Sequence, residues 1–409
     1  MAQINLTLNQ EEILELLGAD KSEAFKALLT KSLNAVLKAE SAQQLGAEPY
    51  ERSKERCDCR NGFRERTLNT RIGSIVLAVP RHCNVPFKSM IFDNYSRSEA
   101  ALMTTMAEMV VLGVSTRKVA KVMETLCGNT FSKSAVSEAC KELDDAVNKF
   151  QTRPLTGEYP FLTVDATYFK VRENGRIVSK ALLIAYATNQ NGYREIVGFQ
   201  ACAKESKESW KEFIGSLKKR GLSGVKIIIS DAHEGIVSAV SQVYSDVPWQ
   251  RCQYHFAKNI SEAAPKKYQA GLRAELNAMF QCETISEAPK KRDEIIAEYH
   301  DVAEAAMSCL DNGFESAMTI MVLSKGLRRY YRTSNHIERL NKELKRRSKV
   351  IGVFPNTQSL LRLMGSLLLH RNEIVQARRV FSSNTLLELQ KLSPRLKKIA
   401  EEQRALLAA

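Results

Sequence analysis

The chain opens on apolar residues at helical steps. Ile13, Leu16, Leu17, Phe25, Leu28, Leu29, Leu33, Val36 and Leu37 recur every three or four positions, which predicts helix over 9–46. The pattern then changes. Residues 50–66 (YERSKERCDCRNGFRER) are polar and basic around an Asn61-Gly62 turn signal, and 71–83 (RIGSIVLAVPRHC) alternates with β-branched residues, predicting a strand or hairpin. Helical spacing returns over 98–150. Within it, 113–145 predicts two short helices, 115–126 and a second from 132, parted by Gly128-Asn129 and capped by Ser115 and Ser132. That outline is a helix-turn-helix whose second helix presents Lys133, Ser134, Ser137 and Lys141 outward, although an ordinary helical pair has the same pattern.

A linker from Pro154 to Pro160 leads to strands at 161–172, 178–189 and 194–203, with Asn174-Gly175 and Asn191-Gly192 as hairpin turn signals. A helix over 206–221 follows. Then comes a continuous apolar strand over 225–231, of the kind buried on both faces. A helix at 234–244 and a short strand at 248–255 complete the order β-β-β-α-β-α-β, which predicts an α/β domain with a mixed sheet. From 256 to about 330 only helical spacing remains, so a separate helical block is expected. A further helix covers 334–349, GVFPN (352–356) breaks it, and two more helices close the chain.

Composition narrows the class. Of 409 residues, 44% are hydrophobic and 26% charged, the balance of a soluble globular protein rather than a disordered or fibrous one, with a length for two to four domains. No apolar run reaches the roughly 18–20 residues that span a bilayer, and the start lacks a signal-peptide core. The nine cysteines follow no disulfide framework and read as cytoplasmic thiols. A net charge of +14 says only that an acidic partner is plausible, such as nucleic acid, phosphate or a membrane surface.

Three acids stand out against this background. Asp165 lies inside the first strand of the sheet, where an unpaired carboxylate is costly to bury. Asp231 ends the buried strand, at the edge where α/β sheets place ligands. Side by side, two such carboxylates need a shared proton or a cation, and hard oxygen donors favour Mg²⁺ or Mn²⁺. The bland alternative is two strand-end aspartates that bind backbone amides. Glu338 borders the stripe Ile337, Leu340, Leu344, and Lys342, Lys345 and Lys349 continue its face. Ten lysines and arginines crowd 325–349, so Glu338 also reads as an ordinary ion-pair partner.

Taken together, the motifs resemble a family. YERSKERCDCRNGFRERTLNTRIGSIVLAVPR, GVSTRKVAKVMETLCG with SKSAVSEACKEL, VDATYFKVRENG, SDAHEGIVSAV, PWQRCQYHFAKNI and YRTSNHIERLNKELKRRSKVIGVFPN appear in order from about 50 to 380. They resemble bacterial insertion-sequence transposases of the Mutator type. The resemblance implies a ribonuclease-H-like mixed sheet carrying an Asp-Asp-Glu triad, interrupted by an all-helical insertion before the glutamate. It implies that Asp165, Asp231 and Glu338 are catalytic and ligate two Mg²⁺ or Mn²⁺ ions. The expected organisation is an N-terminal helical region (1–49), a basic β-containing DNA-binding region (50–97) and a helix-turn-helix-like domain (98–153). A catalytic core follows in two parts (154–256 and 333–380) around the insertion (257–332), with a C-terminal helix at 381–409.

The same resemblance places Cys252 and His255, the Cys-x-x-His of RCQYH, near the triad, with Asn335 and His336 as accessories. Cys252 and His255 alone make half a zinc site. Cys57, Cys59, His82 and Cys83 form another conceivable zinc cluster, and His233 reads as a helix-start residue. DNA contacts are expected from Arg56, Arg60, Arg64, Arg66, Arg117, Lys118, Lys121, Lys133 and Ser134. Around the triad they are expected from Arg339, Lys342, Lys345, Arg346 and Arg347. The implied partners are double-stranded DNA, as terminal inverted repeats and target, and a second copy of the chain, because two ends must be handled together. A DNA-binding regulator without catalysis is the alternative, and a nuclease that cuts without joining is a third.

Overall fold

The computed structural model describes residues 10–11, 13–14, 21–51, 55–70, 72–89, 100–127, 131–377 and 379–408. It divides into two compact units, Met1–Glu142 and Leu143–Ala409.

In the first unit, helix α1 (Lys21–Leu45) lays Leu29, Leu33 and Leu37 on a hairpin. Leu16 and Leu17 of the predicted helix lie outside the described residues. The hairpin strands β1 (Arg60–Thr70) and β2 (Gly73–His82) pair antiparallel, and Leu68, Ile75, Leu77 and Val79 supply its inner face. Asn61-Gly62 does not turn the chain, as its composition predicts. Gly62, at φ 70°, sits where the register slips between Arg60 and Phe63, and the reversal falls between Thr70 and Gly73. A glycine at positive φ serves a bulge as readily as a turn. Helices α2 (Ala100–Val111), α3 (Thr116–Cys127) and α4 (Lys133–Ala139) share a second core, including Met106, Val119, Met123 and Val136. Ser132 caps α4 by accepting from the Ala135 amide at 3.0 Å, and Ser115 accepts from that of Lys118 at 3.4 Å. Lys133, Ser134, Ser137 and Lys141 are exposed, whereas Gly128-Asn129 falls outside the described residues.

The second unit is built on a five-stranded sheet. Helix α5 (Leu143–Thr152), which sequence grouped with 98–153, packs in this unit: Asp144 holds Arg362, and Gln151 donates to the Phe199 carbonyl. Strands β3 (Phe161–Glu173), β4 (Arg176–Thr188) and β5 (Arg194–Cys202) form an antiparallel meander. Asn174 and Gly175, at φ 49° and 77°, make the first turn, because both positions need the left-handed region. Helix α6 (Lys207–Lys219), β6 (Ile227–Ser230), α7 (Glu234–Val243) and β7 (Trp249–Arg251) follow, and the spatial order is β5-β4-β3-β6-β7. β6 lies parallel to both β3 and β7. Its continuous apolar sequence has a physical reason. Ile228 packs against α6 and α7 on one face, while Ile227 and Ile229 pack under Leu323, Leu327 and Tyr331 on the other.

β7 is shorter than the predicted 248–255. The chain turns helical at Gln253, because Phe256 and Ile260, spaced by four, are drawn into a helical core. Helices α8 (Gln253–Ala263), α9 (Gln269–Phe280), α10 (Glu287–Tyr299) and α11 (Glu304–Met318) share that core. Gln250 docks it to the sheet: its Nε2 donates to the Ala317 carbonyl at 2.8 Å, and its Oε1 accepts from the Ile320 amide at 2.6 Å. Helix α12 (Lys325–Tyr331) then leads to α13 (Asn335–Ser348). GVFPN after it bonds to the end of β3 through Phe354, whose amide donates to the Lys170 carbonyl. Helix α14 (Thr357–Gln376) follows, and the single helix predicted for 381–409 is two, α15 (Ser383–Lys391) and α16 (Ser393–Ala408). Pro394 accounts for the break, since a proline is accommodated in a first helical turn and not in a helix interior.

Candidate active site

Strand pairing sets the first two acids. β3 and β6 run parallel with Leu162 opposite Ile228 and Thr163 opposite Ile229, and continuing that register puts Asp231 opposite Asp165. Asp165 Oδ1 accepts from the Ala166 amide at 2.8 Å. Its Oδ2 accepts from Asn341 Nδ2 of α13, also at 2.8 Å. Burial, and then the charge of Asp231, pushes Asp165 up to about 7. Asp231 Oδ1 is buried with no hydrogen-bond partner.

The third acid arrives on α13. Glu338 lies one helical turn before Asn341, on the side of the helix that faces β3. Ser334, a turn earlier, is buried and donates from Oγ to Glu338 Oε1 at 2.9 Å. The Ser334 amide also donates to Cys252 Sγ at 3.4 Å, and the sulfur lies 3.2 Å from the Ser334 hydroxyl. Cys252 is wholly buried at the start of α8, where its amide donates to the Ser230 carbonyl, and the Gln253 amide donates to that of Arg332. His255, one turn into the same helix, brings Nε2 to 3.9 Å from Glu338 Oε1.

The Cys252 sulfur, a ring nitrogen of His255 and a Glu338 oxygen therefore converge within 4.8 Å of one another. Pairing with Cys252, reinforced by Glu338 and Asp231, raises His255 to about 9. Burial pushes the Cys252 thiol up, but hydrogen bonds from His255 and Ser334 outweigh it and leave the thiol below its ordinary value. Arg251 completes the rim. Its guanidinium lies 4.5 Å over the Phe256 ring and passes Gly313, where a Cβ would stand 2.4 Å from Nη1.

The structure thus brings Asp165, Asp231, Glu338, His255 and Cys252 together. It adds Asn341 and Ser334, which sequence reasoning missed. Their signal was spacing, at three residues after and four before Glu338 on one helical face. Asn335 and His336 do not join them. Both line a separate cavity beside Tyr186 and Arg194: His336, two residues before Glu338, is turned about 200° round the helix, and Asn335 is the helix's first residue. His336 packs on Tyr186 at 4.8 Å, and burial pushes it down to about 3.

The expected basic contacts divide. Lys342, Lys345 and Arg339 are exposed. Arg346 instead makes a bidentate pair with Glu343 at 2.8 and 2.7 Å, and Arg347 joins it at 3.0 Å. These partners, Arg346 foremost, hold Glu343 at about 2. In the first unit Arg56, Arg64, Arg117, Lys118 and Lys121 are exposed, and Arg66 is half-buried. Arg60 is committed elsewhere, donating to the carbonyls of Ala47 and Glu48 at 2.6 and 3.1 Å.

The four residues of the conceivable zinc cluster in the same hairpin do not all meet. Cys59 and Cys83 meet with Asp58 within 4.8 Å, but Cys57 Sγ turns to the Glu55 carbonyl and His82 Nε2 to Ser41 Oγ. Asp58 is engaged by the amides of Val85, Asn84 and Cys59, which hold it well below the usual carboxylate range. His233 starts α7, accepting from the Gly235 amide at 3.2 Å.

Comparison with known proteins bears on the chain as a whole. The family described as "Transposase, Mutator family" matches residues 1–377. The transposase for insertion sequence element IS256 in transposon Tn4001 of Staphylococcus aureus is 40% identical over 385 residues, covering 93% of this chain and 98% of that protein. The transposase for ISRM5 of Rhizobium meliloti is 36% identical, covering 91% and 94%, and that for IS1081 of Mycobacterium tuberculosis is 35% identical, covering 94% of each. Among solved structures, the Mos1 transposase paired-end complex with left transposon end aligns at 11% identity over 40% of this chain and 60% of that one. Its TM-score of 0.15 is too low to bear on the fold. On the family match and on relatives that span nearly its whole length, the chain belongs to the Mutator family of transposases.

Proposed function

We propose that the chain is a DNA transposase that binds the terminal inverted repeats of an insertion sequence, cleaves a strand at the element end and transfers the freed 3′ end to target DNA. The observation that carries the reading is the meeting of Asp165 and Asp231 in strand register with Glu338, on the helix that also bonds Asp165. In this reading the sheet is a ribonuclease-H-like core, and the helices between Asp231 and Glu338 are its insertion. The helix pair at 116–139 and the basic hairpin bind element ends, and two copies of the chain handle two ends.

The donor set fits Mg²⁺ or Mn²⁺. Asp231 Oδ1 is an orphaned buried carboxylate oxygen, and Asp165 is pushed towards protonation by burial and then by Asp231, so a hard divalent cation relieves both. Asp165, Asp231 and Glu338 would hold two such ions, whose chemistry is to activate an attacking oxygen and stabilise a leaving one at phosphorus. Asn341 keeps Asp165 aimed, and Ser334 does the same for Glu338. His255, cationic at neutral pH, faces the same place with a positive charge suited to a phosphodiester.

In the first step a water oxygen bonds to phosphorus at the element end. The bond to the 3′ oxygen breaks, and a 3′-hydroxyl and a 5′-phosphate are left. In the second step that hydroxyl attacks a target phosphodiester, forms the new bond and releases the target 3′-hydroxyl. No protein–DNA covalent bond forms. The test is incubation of the purified chain with a labelled element end, Mg²⁺ and target DNA, beside Asp165→Ala. Joined product that disappears with the substitution supports the proposal. Binding without cleavage in either sample points to a silent regulator, and cleavage without joining points to a nuclease.

A further inference from the structure

Helix α13 has a second working face. Asn335, His336, Arg339 and Leu340 line a cavity of about 550 Å³ that does not include the carboxylates. Four elements each send an arginine into it: Arg194 from β5, Arg329 from α12, Arg339 from α13 and Arg371 from α14. No aspartate or glutamate lines the cavity, and none of the four arginines makes an ion pair among the described residues. Arg194 Nε is buried without a hydrogen-bond partner, while its Nη2 donates to the Tyr330 carbonyl at 3.4 Å.

The four guanidiniums repel one another, screened by solvent at the exposed Arg329 and Arg339, and the orphaned buried N–H of Arg194 is costly. A multiply charged anion removes both penalties. The planar fork of arginine matches phosphate oxygens bidentately, and each such bond is charge-assisted. A volume of this size, within the ordinary range of roughly 300–1,000 Å³ for ligand pockets, takes a unit as large as one nucleotide.

We propose that this cavity is a phosphate-binding site that takes a backbone phosphate of a DNA strand, distinct from the carboxylate cluster on the other face of α13. The anion chemistry stands on the four arginines alone. That the phosphates belong to DNA rests on the function proposed above.

The test is binding of a short labelled single strand to the full chain, read by fluorescence anisotropy without divalent ions. No cleavage occurs there, so the result is independent of the triad. Arg371→Gln and Arg339→Gln are each expected to weaken binding about tenfold, the scale of one charge-assisted contact. Each flattens the log–log salt dependence by about 0.7, the increment per phosphate on a single strand. Arg371→Lys, which keeps the charge, retains the slope, and a thermal melt matching the parent's shows that each variant folds. Inorganic pyrophosphate displaces the strand from the parent. If the glutamine variants lose pyrophosphate binding but hold the strand as the parent does, the cavity serves a free anion and the DNA assignment falls. Unchanged affinity for both overturns the site altogether.

Discussion

One helical turn separates Glu338 from Asn341, and that interval decides what each side chain reaches. Asn341 donates to the Asp165 carboxylate that burial and Asp231 have already made reluctant to ionise. Replacing it by leucine leaves that carboxylate without its aim. Strand cleavage is expected to fall about 10- to 100-fold with the thermal melt preserved, the usual cost of losing a partner that orients a metal ligand. A cleavage rate equal to the parent's would remove Asn341 from the site. The pH response follows from the sign of the shift. The Asp165 pKa is raised on folding, so its contribution is fully present below the ordinary carboxylate range and is lost as pH rises through about 7. Asp165→Asn should therefore melt higher than the parent at pH 8 in EDTA and match it near pH 4. Added Mg²⁺ should narrow the gap at pH 8 by stabilising the parent alone. Asp165 and Asp231 were conspicuous, as carboxylates inside or at the end of an apolar strand, whereas Glu338 stood out only through the family resemblance. Asn341 and Ser334 were not legible, since a polar residue on a basic helix looks like any other. Asn335 and His336 were expected from the family resemblance, and the structure places both in another cavity.

At the scale of elements, β6 and the meander were readable because Val, Ile and alternation leave few alternatives. The strand predicted for 248–255 was half right: Trp249–Arg251 pairs with β6, and the next residue caps a helix. Nothing local to CQYH announces that change. It is forced by Phe256 and Ile260 entering the helical core, and by the buried amides of Gln250 and Gln253, both of which bond the Ala317 carbonyl. Gln250→Leu keeps the volume but strands the Ile320 amide. A loss of roughly 1–3 kcal/mol is expected for the orphaned buried group, measured by urea unfolding, with faster proteolysis within 253–318. Unchanged stability would mean that the helical block is held by its apolar contacts alone.

At the scale of the molecule, the charge excess is unevenly committed. Lys118 and Lys121 are exposed on α3, whereas Arg60 is tied to the backbone at Ala47 and Glu48. Lys118→Ala and Lys121→Ala should each flatten the salt dependence of duplex binding by about 0.9. Arg60→Ala should instead lower the melting temperature, with little change in slope. A reversed pattern would relocate the DNA contact. Composition announced an anionic partner but not which cations were free to meet it, because pairing is a property of the folded chain.

Cys252 carries a consequence of its own. Its sulfur is sealed beneath Ser334, and the peptide on either side of it is pinned to Ser230 and Arg332, so three stretches of chain distant in sequence close over one thiol. Cys57, Cys59 and Cys83 are open to solvent. An alkylating reagent will consume those three at once and reach Cys252 only when the closure parts. Cys127 and Cys140 are buried as well, so labelling followed at Cys252 itself, by peptide mapping, is the clock built into the protein. It times how often the glutamate-bearing helix lets go of the sheet, and anything that steadies the carboxylates will make it run slower.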